Sequence, residues 1–330
     1  MPDPDVIVCP DTGRFPVSEE DRATAERAGL RLYEMAGREL VDLRRIGRVA
    51  VGSLAWGGWY GEEFFAALPR LRVLARCGAG ADNIDLDSAL RHGVSVTYVP
   101  GASDDEVAEH AIALLLACFR KLVPSDQAIR GGEWPSSVDL HPMHRLSGSC
   151  LGLVGLGRIA SAVARKAQGL GMTVIAFDPY VPQTTFDALA VRREATLNSL
   201  LSSCDAASIH IPRPSAQPVI IGPDELAAMR PGAILINTSR GRLIDEEALA
   251  RSLEQGSIGG AGLDVFEVEP LPMNSPLRRC PNVVLTPHSA AFSVEALAEI
   301  RRRALADAIA VLQGREPRDP LTSTQGSATT

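Results

Sequence analysis

The chain has 330 residues, of which 45% are hydrophobic, and a formal net charge of −7 at pH 7. This length and apolar content are sufficient for two packed domains. The acidic balance, with a sequence pI near 5.5, argues against a nucleic-acid or anionic-membrane partner. The longest apolar run, residues 111–119, is too short to span a bilayer, and residues 1–5 carry no basic segment before an apolar one. We therefore expect a soluble, cytoplasmic protein.

The cysteine and histidine spacing gives little support for a metal site. Six scattered cysteines form no C-x-x-C pair, at positions 9, 77, 118, 150, 204 and 280. Such thiols are typical of reduced core residues in a cytosolic protein. His141 and His144 flank Pro142, which interrupts helical spacing, and a polar loop is the favoured interpretation over metal ligation. We predict no bound metal.

The first third of the chain alternates short apolar runs with helical or turn segments such as Ser18–Ala28 and Gly61–Leu68. The predicted strands are Val6–Val8, Leu30–Tyr33, Val49–Val51, Arg72–Ala75 and Val94–Tyr98. Such alternation is typical of an α/β domain and predicts a small, flavodoxin-like parallel sheet. A long helix is predicted over Asp104–Lys121, with Ala and Leu on nearly every face. We expect it to be buried against another domain or subunit, which makes it a candidate for oligomerisation.

A nucleotide-binding pattern begins in the middle of the chain. Leu151–Val154 reads as a buried strand, Gly155 and Gly157 follow in a glycine-rich turn, and helical periodicity runs from Arg158 toward Gly171. The first glycine permits the tight turn, the second lets the backbone approach a pyrophosphate, and the helix amides favour its negative charge. Asp178 ends the next predicted strand, where a carboxylate accepts ribose hydroxyls and repels a 2′-phosphate. The pattern predicts NAD and not NADP.

The last part of the chain continues the second α/β unit and then returns to a helix. Its further strands are predicted at Thr173, Ala207–Ile211, Ala233–Asn237, Ala261–Val265 and Val283–Thr286. Ser293 is the predicted N-cap of a helix expected to cross back onto the first domain. Its predicted buried stripe is Leu297, Ile300, Leu305, Ile309 and Leu312. The tail from Gly314 is rich in Pro, Ser, Thr and Gly, and we expect it to be disordered.

Three polar side chains follow late strands of this second unit. Arg240 comes after one strand, Glu269 after the next, and His288 after the last. Because the carboxyl ends of strands in a doubly wound sheet converge on one crevice, the three can face one ligand. An arginine binds a carboxylate through two hydrogen bonds, and a histidine held by a carboxylate donates or accepts a proton. Taken singly, each fits a surface cation, a solvated turn or a loop histidine; together they indicate reduction of a 2-keto acid.

The chain resembles the D-isomer-specific 2-hydroxyacid dehydrogenase family over residues 5–313. The matching segments are Gly78–Asp85, Glu106–His110, Leu153–Ile159, Asn237–Gly241, Gly262–Pro270 and Thr286–His288. The resemblance implies two doubly wound parallel-sheet α/β domains, with the nucleotide-binding domain inserted into the substrate domain. The expected bounds are 1–99 and 293–313 for the substrate-binding domain, 100–292 for the NAD-binding Rossmann domain and 314–330 for the disordered tail. A homodimer is also implied.

The resemblance also implies roles for individual residues. The catalytic residues would be Arg240, Glu269 and His288, and Ala55, Ala79, Gly80 and Arg240 would bind the substrate, with backbone amides holding its carboxylate. NAD would be bound by Gly155, Leu156, Gly157, Arg158, Ile159, Asp178, His210, Ile211, Pro212, Thr238, Ser239, Asp264 and Ala290, with Asp264 contacting the nicotinamide amide. The implied activity is hydride transfer between nicotinamide and C2 of a small D-2-hydroxy acid or 2-keto acid.

Some residues depart from the family pattern or leave an alternative open. The chain looks most like the branch that contains phosphoglycerate dehydrogenase-like proteins and the C-terminal binding proteins, so an NAD(H)-sensing dimeric binding module is the alternative function. Asp104, Ala291 and Arg213 stand where that branch commonly has other residues. An aromatic set offers either a substrate pocket or ordinary core: Trp56, Trp59, Tyr60 and Phe292.

Overall fold

A computed structural model describes residues 5–13, 15–136, 143–212, 219–280 and 282–322. The chain divides into two compact units. Unit 1 combines Met1–Ser103 with Ser293–Thr330, and unit 2 is Asp104–Phe292. The first domain boundary was expected between residues 99 and 100, and the division in the structure lies four residues later. His141 and Arg213 lie outside the described residues.

In the described part of unit 1, six strands form one sheet in the order β13-β5-β4-β3-β1-β2. The strands are β1 (Val6–Cys9), β2 (Arg31–Glu34), β3 (Ala50–Ala55), β4 (Val73–Arg76), β5 (Ser95–Thr97) and β13 (Pro320–Thr322). The first five are parallel neighbours, with Ile7 opposite Leu32 and Leu54 opposite Ala75. The flavodoxin-like order predicted for this unit is confirmed.

Helices cover both faces of this sheet. They are α1 (Glu19–Arg27), α2 (Leu40–Ile46), α3 (Glu62–Ala67), α4 (Leu86–Arg91) and α12 (Val294–Leu312). One face packs residues such as Val51 and Val73 against Ile300 and Ala304 of α12. The other face packs apolar strand residues against α2 and α3. Ser18 caps α1 and Ser293 caps α12, each accepting a hydrogen bond from a first-turn amide.

The predicted disorder from Gly314 onward is wrong for the residues that the structure describes. Strand β13 pairs antiparallel with β5, with Pro320 opposite Thr97. Nη2 of Arg303, a residue only 8% exposed, lies 2.7 Å from Oδ2 of Asp319. The Arg318 amide donates to Asp307 at 2.9 Å. Backbone pairing and a half-buried ion pair therefore hold a segment whose composition alone indicates a solvated tail.

In the described part of unit 2, seven strands form a parallel sheet in the order β12-β11-β10-β9-β6-β7-β8. The strands are β6 (Cys150–Val154), β7 (Thr173–Phe177), β8 (Arg192–Arg193), β9 (Ala206–Ile209), β10 (Ile234–Asn237), β11 (Gly260–Leu263) and β12 (Val283–Leu285). The order reverses at β6, and the neighbours β6 and β9 flank the switch point. Ligands in such folds bind beyond the carboxyl ends of the strands at this point.

The helices of unit 2 lie on both sides of its sheet. They are α5 (Asp104–Phe119), α6 (Leu122–Arg130), α7 (Arg158–Gly169), α8 (Gln183–Ala188), α9 (Leu197–Ser203), α10 (Pro223–Ala228) and α11 (Glu246–Glu254). Short 3-10 turns occupy Gly241–Leu243 and Pro276–Arg279. No described helix is long and apolar enough to cross a membrane.

Helix α5 packs within its own unit. Its buried residues include Ala108, Ala111, Leu114 and Leu115, and it contacts α7, β10 and β11. Packing within unit 2 accounts for much of the apolar pattern, because α7 and strand side chains cover two sides of the helix. The contact of this helix with another domain or subunit stays a prediction.

Replacing Asp319 with Ala leaves the Arg303 guanidinium without its carboxylate partner in a nearly dry environment. We expect the free energy of unfolding to fall by about 1 to 3 kcal/mol, below the cost of breaking a fully buried pair because Asp319 is partly exposed. Urea denaturation measures the change. Glu316→Ala, at an exposed position in the same segment, is the control and should move stability by no more than about 0.5 kcal/mol. Equal midpoints for the two variants would show that the segment does not support unit 1.

Candidate active site

The carboxyl ends of three neighbouring parallel strands define the candidate active site of unit 2. Strands β10, β11 and β12 are adjacent in register, with Asn237 opposite Leu263 and Leu263 opposite Leu285. The loops that follow them carry Arg240, Glu269 and His288, in that order. Three polar side chains distant in the sequence thus follow strand ends along one sheet edge.

His288 and Glu269 form a hydrogen-bonded pair. Nδ1 of His288 lies 2.7 Å from Oε2 of Glu269, and the two side chains are 54% and 36% exposed. A carboxylate accepts but does not donate, so Nδ1 carries the proton in this contact. The other ring nitrogen, Nε2, is thereby left as the position that gains or loses a proton.

The surroundings of Glu269 keep its carboxyl group ionised. Burial by itself raises the pKa of Glu269, but the hydrogen bond from His288 and the charges of His288 and Arg240 outweigh it and bring the pKa below the ordinary 4.5. The amide of Phe266 adds a further hydrogen bond at 3.0 Å. Glu269 therefore remains a carboxylate at neutral pH.

A buried carboxylate, Asp264, anchors the loop that carries His288. Its side chain has no exposed surface. Oδ1 accepts hydrogen bonds from the Thr286 hydroxyl at 2.6 Å and the Ser289 amide at 2.9 Å, and Oδ2 accepts from the Ala290 amide at 2.9 Å. Three donors from one short segment converge on one side chain, so the path of residues 286–290 is fixed. The nicotinamide contact implied for Asp264 stays a prediction.

The backbone of His288 is in the left-handed region, with φ 54°. A non-glycine residue there costs on the order of 1 kcal/mol or more and persists only where the surroundings enforce it. The His288 amide donates to the carbonyl oxygen of Asp264 at 2.8 Å. Backbone and side chain of Asp264 together thus hold the conformation that places the imidazole beside Glu269.

Sequence reasoning assigned no role to His110, which lies on α5. Its Nε2 is 2.9 Å from the Thr286 hydroxyl, which itself donates to Asp264. Nε2 is also 3.5 Å from Oδ1 of Asp264. The segment Glu106–His110 is one of the segments that match the family, so the sequence did contain a sign that His110 matters. Its contact with Thr286 arises only because the fold brings α5 beside the loop after β12.

Arg240 follows β10 in a tightly packed turn. The Asn237 side-chain amide donates to its carbonyl oxygen at 2.9 Å, and Nη1 of Arg240 donates to the Ser239 carbonyl oxygen at 2.8 Å. The next residue, Gly241, is buried against the loop after β11: an added Cβ would lie 1.8 Å from the carbonyl carbon of Phe266. Glycine at this position lets the Arg240 and Glu269 loops approach each other.

The two glycines of the nucleotide loop have different surroundings. Gly155 has φ +90°, and an added Cβ would lie 2.8 Å from the His210 carbonyl oxygen. At Gly157 an added Cβ would meet nothing within 4 Å, so this position faces open space. Gly157 also caps α7 without a side-chain hydrogen bond, so the amides of Arg158 and Ile159 have no intrahelical acceptor. Open space in front of free helix amides fits a bound phosphate.

Asp178 lies just after β7 and is tied to the glycine loop. Its Oδ2 accepts from the Leu156 amide at 2.9 Å, and its Oδ1 accepts from the amides of Tyr180 and Val181. A carboxylate offers about four acceptor positions, so one remains for a ribose hydroxyl. The Leu156 amide donates to Asp178 and its side chain is buried. The cofactor contact expected for Leu156 stays a prediction.

The remaining predicted cofactor residues lie on loops after β9, β10 and β12. His210 is hydrogen-bonded to the Ser208 hydroxyl at 2.8 Å, and burial lowers its pKa to about 4. The Thr238 hydroxyl is buried and has no partner among the described residues. The Ser239 hydroxyl donates to the Ile209 carbonyl oxygen at 2.5 Å. Ile211 is half-buried, Pro212 is exposed and Ala290 is buried. Their cofactor contacts stay predictions.

The predicted substrate residues of unit 1 differ in accessibility. Ala79 is exposed and Gly80 is partly exposed, and Nε of Arg76 donates to the Gly80 carbonyl oxygen at 2.8 Å. Ala55 is fully buried and its carbonyl oxygen accepts from the Cys77 amide. The substrate contacts expected for Ala55, Ala79 and Gly80 stay predictions.

The members of the aromatic set differ in burial. Tyr60 is buried in the core, whereas Trp59 is 63% exposed and Phe292 is 48% exposed. Trp56 stacks on Phe15 with ring centroids 4.1 Å apart. Among the described residues, no three His, Cys, Asp or Glu side chains are grouped so that they could hold a metal ion.

Comparisons with known proteins identify relatives of this chain in sequence and in fold. Residues 112–290 match the model of the D-isomer specific 2-hydroxyacid dehydrogenase, NAD binding domain. A glyoxylate reductase of Korarchaeum cryptofilum is 40% identical over 259 residues, 77% of this chain and 77% of that protein. An (S)-sulfolactate dehydrogenase of Chromohalobacter salexigens is 40% identical over 234 residues, 71% of this chain and 75% of that protein.

A solved structure extends the likeness to the whole fold. The crystal structure of a glyoxylate reductase from Paecilomyes thermophila has a TM-score of 0.83 at 29% identity, covering 97% of this chain and 99% of that one. Fold, site and comparisons together define a nicotinamide-dependent oxidoreductase. The chain belongs to the D-isomer specific 2-hydroxyacid dehydrogenase family.

Gly241→Ala should disrupt the site through backbone displacement. The added Cβ would lie within about 2 Å of Phe266 backbone atoms, so the loop leading to Glu269 must move. Displacements of this kind cost on the order of 100-fold in kcat/KM, since orientation contributes heavily to catalysis. Steady-state kinetics measures the loss. Gly169→Ala is the matched control, because nothing lies within 4 Å of its added Cβ. Wild-type kcat/KM for Gly241→Ala would show that the close approach is not needed.

His210→Gln should make the free energy of unfolding depend less on pH in the acid range. The folded-state pKa of His210 is about 4, below the ordinary 6.5. The unfolded chain therefore binds more protons between pH 6.5 and 4, and stability falls as the pH is lowered through that window. The variant should take up about one proton fewer on unfolding there. Urea denaturation at several pH values measures this, with the exposed His144→Gln as control. An unchanged slope for His210→Gln would contradict the neutral state of His210 in the folded protein.

Proposed function

We propose that this chain is an NAD-dependent D-2-hydroxyacid dehydrogenase that interconverts a small 2-keto acid and its D-2-hydroxy acid. The observation that carries the proposal is the 2.7 Å contact between Nδ1 of His288 and Oε2 of Glu269 on adjacent loops of the nucleotide-binding unit. A carboxylate-held imidazole is suited to donate a proton to a developing alkoxide and to remove it in the reverse direction. A homodimer, as the resemblance implies, is part of the proposal.

The residues take complementary parts in the proposed reaction. His288 donates a proton from Nε2 to the substrate oxygen during reduction, and Glu269 stabilises the imidazolium that exists before the transfer. Arg240 binds the substrate carboxylate through paired hydrogen bonds, which orients C2. When bound, the nicotinamide ring supplies or accepts the hydride. The loop at Gly155–Ile159 and the amides at the start of α7 would hold the pyrophosphate.

We propose NAD rather than NADP as the preferred cofactor. Asp178 places a negative charge at the end of β7 with one acceptor position remaining, which suits a ribose hydroxyl and opposes a 2′-phosphate. The nearby Arg193 is engaged: Nη2 donates to the Asp178 carbonyl oxygen at 2.9 Å, and its guanidinium lies 5.0 Å from the ring centroid of Phe186. NADH oxidation should therefore exceed NADPH oxidation at equal concentrations.

The substrate class is tested by the loss of NADH absorbance with a panel of 2-keto acids. Glyoxylate and hydroxypyruvate are the first members, since relatives named glyoxylate reductase support a small substrate. Arg240→Gln should reduce kcat/KM by about 100-fold or more, because it removes a charge-assisted contact to the reacting molecule. Arg242→Gln, at an exposed position two residues on, should change it by less than about twofold. Tight NADH binding without NADH oxidation by any 2-keto acid of the panel would favour the NAD(H)-sensing binding module.

Glu269→Gln should change the pH profile of reduction. The lowered pKa of Glu269 keeps its carboxylate charged at pH 4.5 and above, whereas the variant carries no charge beside His288 at any pH. We expect kcat/KM to fall about 10- to 100-fold, and we expect the loss of activity that protonation of Glu269 causes at acid pH to be absent from the variant. Glu267→Gln, an exposed neighbour, is the control. Wild-type kcat/KM in the variant, or the same loss of activity at acid pH as in the wild type, would mean that the charge of Glu269 is not needed.

A further inference from the structure

An ion pair joins the first residues of two helices of unit 2, next to the nucleotide loop. Nε of Arg158, at the start of α7, lies 2.8 Å from Oδ2 of Asp104, at the start of α5. The Arg158 side chain is 66% exposed and the Asp104 side chain is 20% exposed. Helices α5 and α7 pack against each other, so the pair joins two contacting elements of one unit.

This pair lies beside the open space at the start of α7. Arg158 directly follows Gly157, whose Cα faces open space, and the free amides of α7 begin at the same residue. Only Nε of Arg158 is used in the hydrogen bond to Asp104, so the two terminal nitrogens keep donors for an anion. The carboxylate of Asp104 nevertheless offsets the charge that Arg158 offers to a pyrophosphate.

Of three acidic residues of α5, Asp104 is the one that contacts Arg158. Asp105 and Glu109 on the same helix are paired with Lys166, at 3.4 Å and 3.2 Å. The carboxylate of Asp104 is also favoured where it stands, because negative charge is stabilised at a helix N-terminus. Asp104 is thus a fixed negative charge beside the first cation of the nucleotide loop.

We propose that Asp104 is a positioning residue for cofactor binding, which holds Arg158 at the start of α7 and weakens the affinity for the dinucleotide. Weaker binding of the pyrophosphate favours cofactor exchange. Release of bound molecules commonly limits turnover in enzymes. The inference rests on the nicotinamide cofactor alone. Its test measures binding without any keto acid, so the result is independent of the substrate and catalytic roles proposed above.

The test is the dissociation constant of NADH for Asp104→Asn, followed by NADH fluorescence in the full-length protein at low ionic strength. Freeing Arg158 for the pyrophosphate should lower the dissociation constant by about five- to tenfold. Added salt should shrink this difference, since a more charged phosphate contact is screened more strongly. Asp105→Asn makes the same change in net charge one residue away and is the matched control, expected to shift the constant by less than about twofold.

A double-mutant cycle shows whether Asp104 acts through Arg158. In an Arg158→Gln background, Asp104→Asn should change the dissociation constant by less than about twofold. An unchanged or raised constant for Asp104→Asn alone, or an equal effect of Asp105→Asn, would overturn the proposal. Thermal unfolding checks that the variants fold. If Asp104→Asn is unstable, Asp104→Thr removes the same charge, and the same criteria apply.

Discussion

The site depends on one buried carboxylate. Asp264 accepts hydrogen bonds from Thr286, Ser289 and Ala290, and no part of its side chain is exposed. A buried charge is costly unless its hydrogen bonds are satisfied, and here one short segment supplies all three donors. Displacing that segment would therefore leave the buried carboxylate of Asp264 without these hydrogen-bond donors. His288 keeps its left-handed backbone for this reason, and the contact with Glu269 follows from it.

The parallel sheet explains how distant residues come together. Strands β10, β11 and β12 are adjacent, so the loops after them begin at one edge. Gly241 then allows the Arg240 turn to pack directly on the backbone of Phe266. Gly241 and Asp264 thus set the spacing of the site. Arg240, Glu269 and His288 supply the groups proposed for chemistry.

Much of this arrangement was predictable from the sequence because strong local signals agreed with the fold. Buried parallel strands appear as short apolar runs, and the glycine turn before Arg158 has a specific pattern. Ser293 was predicted as the cap of α12, and it accepts the expected hydrogen bond. Short elements were missed, among them α2, α4, α6 and β8, because a run of two to nine residues carries little periodicity.

Other features depended on tertiary contacts that no local pattern encodes. The tail strand β13 is held by pairing with β5 and by the contact between Arg303 and Asp319. Ala55 precedes a loop yet is fully buried, because its carbonyl oxygen and methyl group belong to the sheet and core. The contact of His110 with Thr286 joins residues 176 positions apart in the sequence. Asp104 likewise meets Arg158 only because α5 packs on α7.

The most direct test of the account is a single-turnover measurement of NADH oxidation by His288→Ala, with saturating NADH and the best 2-keto acid found for the wild-type protein. If His288 is the proton donor, the single-turnover rate should fall by at least about 100-fold, while the dissociation constant of NADH changes by less than about threefold. Small and equal changes in both quantities would contradict the assignment of His288 to chemistry.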